Sequence, residues 1–180
     1  SRIDAESDIV VVVKSTIAPG STEEWKERLG LRLVHNPEFL TEANSIQDFL
    51  QQDRIILGGA PADTAVVRAF YERGFDVPIM ETDATTAELV KYVTNAFLAT
   101  KVSFSNEMHQ VCAALGIEYS EMMGLVCLDA RIQQGHTAVP GPDGSLGFGG
   151  HCFPKDLHAL ITLARSLGVT PTVLDATWAK

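Results

Sequence analysis

The chain has 180 residues, 46% of them hydrophobic and 21% charged, and carries a net charge of −9. That size and balance describe a globular protein with room for one substantial domain or two small ones. The acidic balance excludes a general nucleic-acid or anionic-membrane binder, because such proteins hold phosphates with a positive field. The longest apolar run, Ile9 to Val13, is too short to cross a bilayer, and no signal-peptide pattern opens the chain, so a cytoplasmic location is expected. Three cysteines, Cys112, Cys127 and Cys152, do not form a disulfide framework and fit a reducing compartment.

In chain order, residues 8–14 are a β-branched run without alternation, the pattern of a strand buried on both faces of a parallel sheet. Ser15-Thr16 and Pro19-Gly20 end it. Ser21 with Glu24 resembles a capping box for a helix to Leu29, and Arg32-Leu33-Val34 follows as a second strand. Arg54 to Leu57 is a third strand stopped by Gly58-Gly59, Pro61 to Arg73 a helix, and Val77 to Met80 a fourth strand. This is βαβ grammar. From Thr85, where Thr85 and Glu88 form a second capping-box pattern, no glycine or proline interrupts the chain until Gly116. Val90, Val93, Phe97, Phe104, Met108, Val111 and Leu115 fall at helical spacing and predict one helix of about 30 residues. A helix that long serves a second layer or a partner subunit. Tyr119 to Leu128 is a shorter helix, and residues 133–150 form a glycine- and proline-rich loop of functional or disordered character. A domain boundary is expected near residue 83. The chain opens almost directly on a core strand and stops just after Trp178, so it reads as an internal piece of something larger.

The stretch Gly147-Phe148-Gly149-Gly150-His151-Cys152-Phe153-Pro154-Lys155-Asp156 carries the strongest chemical signal. Pro154 suits a first helical turn, and Asp156 to Leu167 reads as an amphipathic helix. Cys152 then stands at or just before a helix N-terminus, where unpaired amides, the helix dipole and Lys155 favour a thiolate. The bland alternative is a small buried hydrophobe. Gly147-Phe148-Gly149 is no dinucleotide fingerprint, since Cys152 replaces the third glycine and no strand precedes it; the chain has no G-x-G-x-x-G. Lys91 and Asn95 share one helical face, which alone fits a solvated polar stripe. Glu38 and Glu42 follow the second strand, at the end where open α/β sheets bind ligands; read plainly they are helix-start charge. Thr16 ends the first strand as a candidate polar contact or a turn residue. Arg131 is an ordinary surface arginine or an anion clamp.

Taken together, Lys14-Ser15-Thr16, Asn36-Pro37-Glu38-Phe39-Leu40, Lys91-x-x-x-Asn95, Asp129-Ala130-Arg131-Ile132 and the cysteine loop resemble, in this order, the UDP-glucose/GDP-mannose 6-dehydrogenase family, its UDP-glucose branch most of all. The resemblance covers nearly the whole chain. It implies an α/β, partial Rossmann-type sheet over residues 1–82, the second half of an NAD domain, and a helical central domain over 83–180 whose long helix forms a homodimer core. It implies NAD as cofactor and a nucleotide sugar, UDP-glucose favoured, as substrate. The C6 alcohol would be oxidised to a carboxylate with two NAD+ per sugar.

For catalysis the resemblance points to Cys152 as nucleophile, Lys91 with Asn95 or an Asp156-held water as alkoxide stabilisers, and Glu38 with Thr16 for thioester hydrolysis. Phe39, Leu40, Glu42, Lys91, Asn95, Arg131, Gly141, Ser145, Phe148 and Gly149 would contact substrate, Arg131 that of the other subunit. Thr16, Glu42 and Lys155 would contact cofactor. The alternatives are a GDP-mannose or UDP-N-acetyl amino-sugar substrate, or a dimerisation module that does no chemistry in isolation. A metal site at His151, Cys152 and His158 is disfavoured by its spacing.

Overall fold

The structure, a computed structural model, describes residues 8–41 and 44–179. The chain divides into two compact units, one ending at Lys91 and one beginning at Tyr92.

In the first unit four strands, β1 (Val10–Val13), β2 (Arg32–His35), β3 (Ile55–Gly59) and β4 (Ile79–Thr82), form one sheet in the order β1-β2-β3-β4. β1 and β2 are parallel, β2 and β3 antiparallel, and β3 and β4 parallel. The sheet is therefore mixed, because residues 36–54 return the chain without crossing it. Among the described residues β1 pairs only with β2, and Val12 is exposed.

Helices α1 (Ser21–Leu29), α2 (Ser45–Leu50) and α3 (Pro61–Tyr71) complete this unit with the start of α4 (Ala84–Leu115). Short α2 had no clear apolar period and was not expected. Val34, Ile55, Leu57, Val67, Tyr71 and Ile79 form the core. Gly58 and Gly59 do not stop β3; they lie in it. A Cβ on Gly58 would stand 2.4 Å from the Ala87 Cβ and 2.9 Å from the Asp83 carbonyl oxygen. The glycine is needed so that the start of α4 can lie directly on the strand.

Both capping boxes are corrected as well. The N-cap of α1 is Gly20, and no side-chain cap comes from Ser21 or Glu24. At the start of α4 the cap is Asp83, which accepts the Thr86 amide at 2.8 Å and the Thr86 hydroxyl at 2.6 Å. Glu88 turns elsewhere, as described below.

The second unit holds the rest of α4, whose 32 residues span about 48 Å, with α5 (Tyr119–Val126), α6 (Cys152–Ser166) and the unexpected α7 (Thr172–Trp178). Helix α6 begins at Cys152, so the cysteine stands at a helix N-terminus as the sequence suggested. Ala96 and Ala99 pack with Leu157 and Ile161, while Cys112, Tyr119 and Met123 form a second cluster. Among the described residues no helix is long and apolar enough to cross a membrane.

Candidate active site

In the first unit the parallel register sets Val13 opposite His35, so Lys14 and Asn36 leave the sheet side by side. The Asn36 amide donates to the Val13 carbonyl at 2.9 Å. Its side-chain oxygen accepts Lys14 Nζ at 2.7 Å and Tyr71 Oη at 2.6 Å, and its Nδ2 donates to the Ile56 carbonyl at 2.9 Å. Asn36 is 3% exposed and joins β1, β2, β3 and α3. Although much of Lys14 reaches solvent, its ammonium sits in this cluster; burial holds its pKa below the ordinary lysine value, with the Glu38 charge working against the shift.

Glu38 lies two residues beyond Asn36. Its Oε1 is 3.2 Å from Lys91 Nζ, and its Oε2 accepts the Leu40 amide at 2.8 Å. The Lys91 residue is 4% exposed, which overturns the reading of a solvated stripe. Glu38 is in no helix start either, since α2 begins only at Ser45. A buried ammonium needs a partner, and Glu38 supplies it. Phe39 lies under Lys91 Nζ at 5.7 Å and under the Arg54 guanidinium at 4.4 Å from its ring centre. Thr16 is half-buried in the loop between β1 and α1 and is not the helix cap. Glu42 lies outside the described residues.

In the second unit Asn95 and Asp156 meet as a buried pair, Asn95 Nδ2 donating to Asp156 Oδ2 at 2.5 Å. Lys155 Nζ stands 2.8 Å from the buried Asp156 Oδ1 as an ion pair. Burial opposes charge on Lys155, but Asp156, with smaller help from Tyr92 and Cys152, raises its pKa above the ordinary value. Cys152 is exposed and stands first in α6, whose N-terminus has no side-chain cap. The bland reading of a buried cysteine fits Cys112 and does not fit Cys152.

Loop residues 133–150 are tied down at three points. Lys101 donates to the Gln133 carbonyl at 2.8 Å, Tyr119 to the Thr137 carbonyl at 2.7 Å, and the Gly147 amide to Asn106 Oδ1 at 2.9 Å. Within it the Gly141 amide donates to the Ser145 carbonyl at 2.9 Å. Phe148 packs on Phe153 and lines a shallow cavity of about 220 Å³ with Leu146, Gly147, Pro154 and Trp178; Gly149 is exposed. Arg131 is exposed and clamped by Asp129 at 2.5 Å, which raises its pKa through that hydrogen bond. Among the described residues no group of three His, Cys, Asp or Glu side chains could hold a metal. Sequence reasoning missed Asn106, which stands in no motif, and read Glu88 only as half of a capping box; both are polar and buried on α4.

Residues 85–179 match the central domain of the UDP-glucose/GDP-mannose dehydrogenase family, and residues 2–75 match its NAD binding domain. The chain belongs to this family. The UDP-glucose 6-dehydrogenase AglM of Haloferax volcanii is 36% identical over 93% of this chain and 41% of its own length. A solved UDP-glucose dehydrogenase from Pyrobaculum islandicum is also 36% identical, with a TM-score of 0.83 over 93% of this chain and 40% of that one. A UDP-D-ManNAc dehydrogenase from Pyrococcus horikoshii is 27% identical, with a TM-score of 0.75 over 93% and 41%. The chain thus spans about two fifths of the length of these family members. The match to an NAD binding domain assigns NAD as the family's cofactor.

Proposed function

We propose that this chain is the part of an NAD-dependent nucleotide-sugar dehydrogenase that oxidises UDP-glucose at C6 to a carboxylate through a covalent Cys152 intermediate. The observation that carries the reading is the burial of Lys91 and Asp156, 4% and 0% exposed, at positions of the family's motifs. Sealing a charge from water is costly, and an uncharged side chain would serve packing better. UDP-glucose is favoured over amino sugars because the UDP-glucose dehydrogenase is 36% identical and the UDP-D-ManNAc enzyme 27%.

The residues present fit part of the cofactor's site. The loops after parallel β1 and β2 leave the sheet at their carboxyl ends, where such sheets take nucleotides, and Thr16 lies on the first of them, with Lys155 a further contact candidate. No glycine-rich phosphate fingerprint is present in the sequence. When bound, NAD+ supplies the hydride acceptor for the oxidations.

Lys91 stabilises the alkoxide formed at C6, with Glu38 as its counterion at 3.2 Å. Asp156, oriented by Asn95, holds a water that takes the proton leaving the C6 hydroxyl. The Cys152 thiolate adds to the aldehyde carbon, giving a thiohemiacetal, which is oxidised to a thioester. In hydrolysis Glu38 takes a proton from a water held by Thr16. The hydroxide adds to the carbonyl carbon, the carbon–sulfur bond breaks, Cys152 leaves as thiolate, and the carboxylic acid ionises to solvent. Phe39, Leu40, Gly141, Ser145, Phe148 and Gly149 contact the nucleotide sugar, Glu42 the nicotinamide side, and Arg131 the sugar of the partner in a homodimer built on α4.

The deciding test counts NADH formed per UDP-glucose in the full-length protein beside its Cys152→Ala variant. Two NADH per sugar, lost in the variant, is the expected result. One NADH, unaffected by the substitution, would mean a simple alcohol dehydrogenase. None would move the assignment to GDP-mannose or an amino sugar.

A further inference from the structure

The loop that bears Thr16 is held by a residue that no family motif quoted above contains. We propose that Glu88 is a positioning residue: it fixes the Lys14–Gly20 loop against α4, one turn before Lys91, and so sets Thr16 for thioester hydrolysis. The proposal rests on the function given above.

Glu88 is 1% exposed. Its Oε2 accepts the Gly20 amide at 2.5 Å, and its Oε1 accepts the Thr22 amide at 2.8 Å and the Thr22 hydroxyl at 2.6 Å. All three donors stand at the start of α1, whose own residues provide no side-chain cap. Thr22 is fully buried, so water does not compete for these bonds. Hydrogen bonds to a charged acceptor are about twice as strong as neutral ones. A carboxylate sealed in this way is also costly unless its donors stay in place, which makes the arrangement rigid.

The loop is consequently fixed at both ends. At one end β1 pairs with β2, and Lys14 binds Asn36; at the other, Glu88 takes the Gly20 and Thr22 amides. Gly20 has a φ of 95°, a backbone shape that a side chain would strain. Thr16 lies between these two anchors. One turn further along α4, Lys91 holds the loop after β2 through Glu38. Two turns of one helix thus hold both loops that carry the hydrolytic candidates, and a loosened Glu88 should affect water attack more than the first oxidation.

The experiment uses the full-length protein with UDP-glucose and NAD+, comparing Glu88→Gln and Thr22→Val with the unsubstituted form. Thr22→Val is nearly isosteric and removes one donor, so it decides the question if Glu88→Gln does not fold. Intact mass spectrometry should show a sugar thioester accumulating on Cys152, with turnover lowered about 10- to 100-fold by misplacement and the first NADH formed at close to the normal rate. Thr16→Ala should give the same adduct, and adding Glu88→Gln to it should cost no further turnover. Hydrogen exchange at the Gly20 and Thr22 amides should quicken. Thioester clearance at the parent rate in either variant, even with faster exchange, would overturn the proposal and leave Glu88 a structural cap, as would multiplying losses in the double variant. Failure of the functional reading is separate: the unsubstituted protein would then not yield two NADH per sugar, and the proposal would fall with it.

Discussion

The two units differ in what their helices and strands turn inward. The first closes a core of large aliphatic and aromatic residues, Val34, Ile55, Leu57, Val67, Tyr71 and Ile79, between sheet and helices. In the second, α4 turns small and polar residues inward, among them Ala96, Ala99, Ser103, Ser105 and Asn106, while Val93, Phe97, Phe104, Val111 and Leu115 are exposed. These five fall at intervals of four, seven, seven and four residues, one face of a helix. An exposed apolar face of that length is the kind an interaction surface uses, and the homodimer proposed above would be built on it. The difference teaches that hydrophobic periodicity locates an apolar face without saying whether the chain itself covers it.

The comparison can be broken most severely in the first unit. Gly58→Ala drives a methyl group into the Ala87 side chain and the Asp83 carbonyl, and overpacking of this kind costs about 1–3 kcal/mol. Each unit holds one tryptophan, Trp25 and Trp178. In a Trp178→Phe background the Trp25 fluorescence transition in urea should move to lower concentration, by that loss of stability divided by the urea m-value; an unchanged midpoint would mean that α4 does not need to lie on β3. In the second unit, replacing Phe97 and Phe104 together by aspartate should abolish self-association in sedimentation. Stability of the monomer should change by only about 0.5 kcal/mol per site, as for other exposed positions. A species of unchanged mass would remove the α4 surface from the account.

A smaller effect sharpens the picture around Glu88. Burial lowers the pKa of His35 below the ordinary 6.5, Glu88 opposing the shift and Lys14 adding to it. The unfolded chain therefore takes up a proton that folded His35 refuses, so this contribution is complete above pH 6.5 and is lost as pH falls below it. His35→Gln should flatten the decline of stability on acidification through that window, measured as urea midpoints from pH 7.5 downward. An identical slope in both proteins would assign the acid sensitivity to the carboxylates alone.

Much of the fold was legible because it is local. Alternating strands and helices, the length of α4 and the placing of Cys152 at a helix start follow from periodicity, proline and glycine. The capping boxes show where local reading ends. Ser21 with Glu24 and Thr85 with Glu88 both fit the pattern, yet α1 is capped from 66 and 68 residues away and α4 by Asp83. Glu88 of the second box takes donors at the start of α1, while Glu24 of the first pairs with Arg28 on its own helix. The candidate site divides in the same way. Lys91, Asn95, Glu38, Cys152 and Asp156 could be picked out by type and spacing, but the burial of Lys91 could not, because a lysine on a helix reads as solvated until its counterion is seen.

The sequence by itself determined the element types, the family and the residues able to do chemistry, since these depend on side-chain identity and on contacts a few positions apart. Tertiary structure alone decided the antiparallel turn between β2 and β3, the pairing of Lys91 with Glu38 and of Asn95 with Asp156, and the use of Glu88 as a cap. Each of these joins residues at least 20 positions apart. Which partner a buried polar group takes is set by competition among all the groups that folding brings within hydrogen-bond distance, and a linear pattern does not contain those distances.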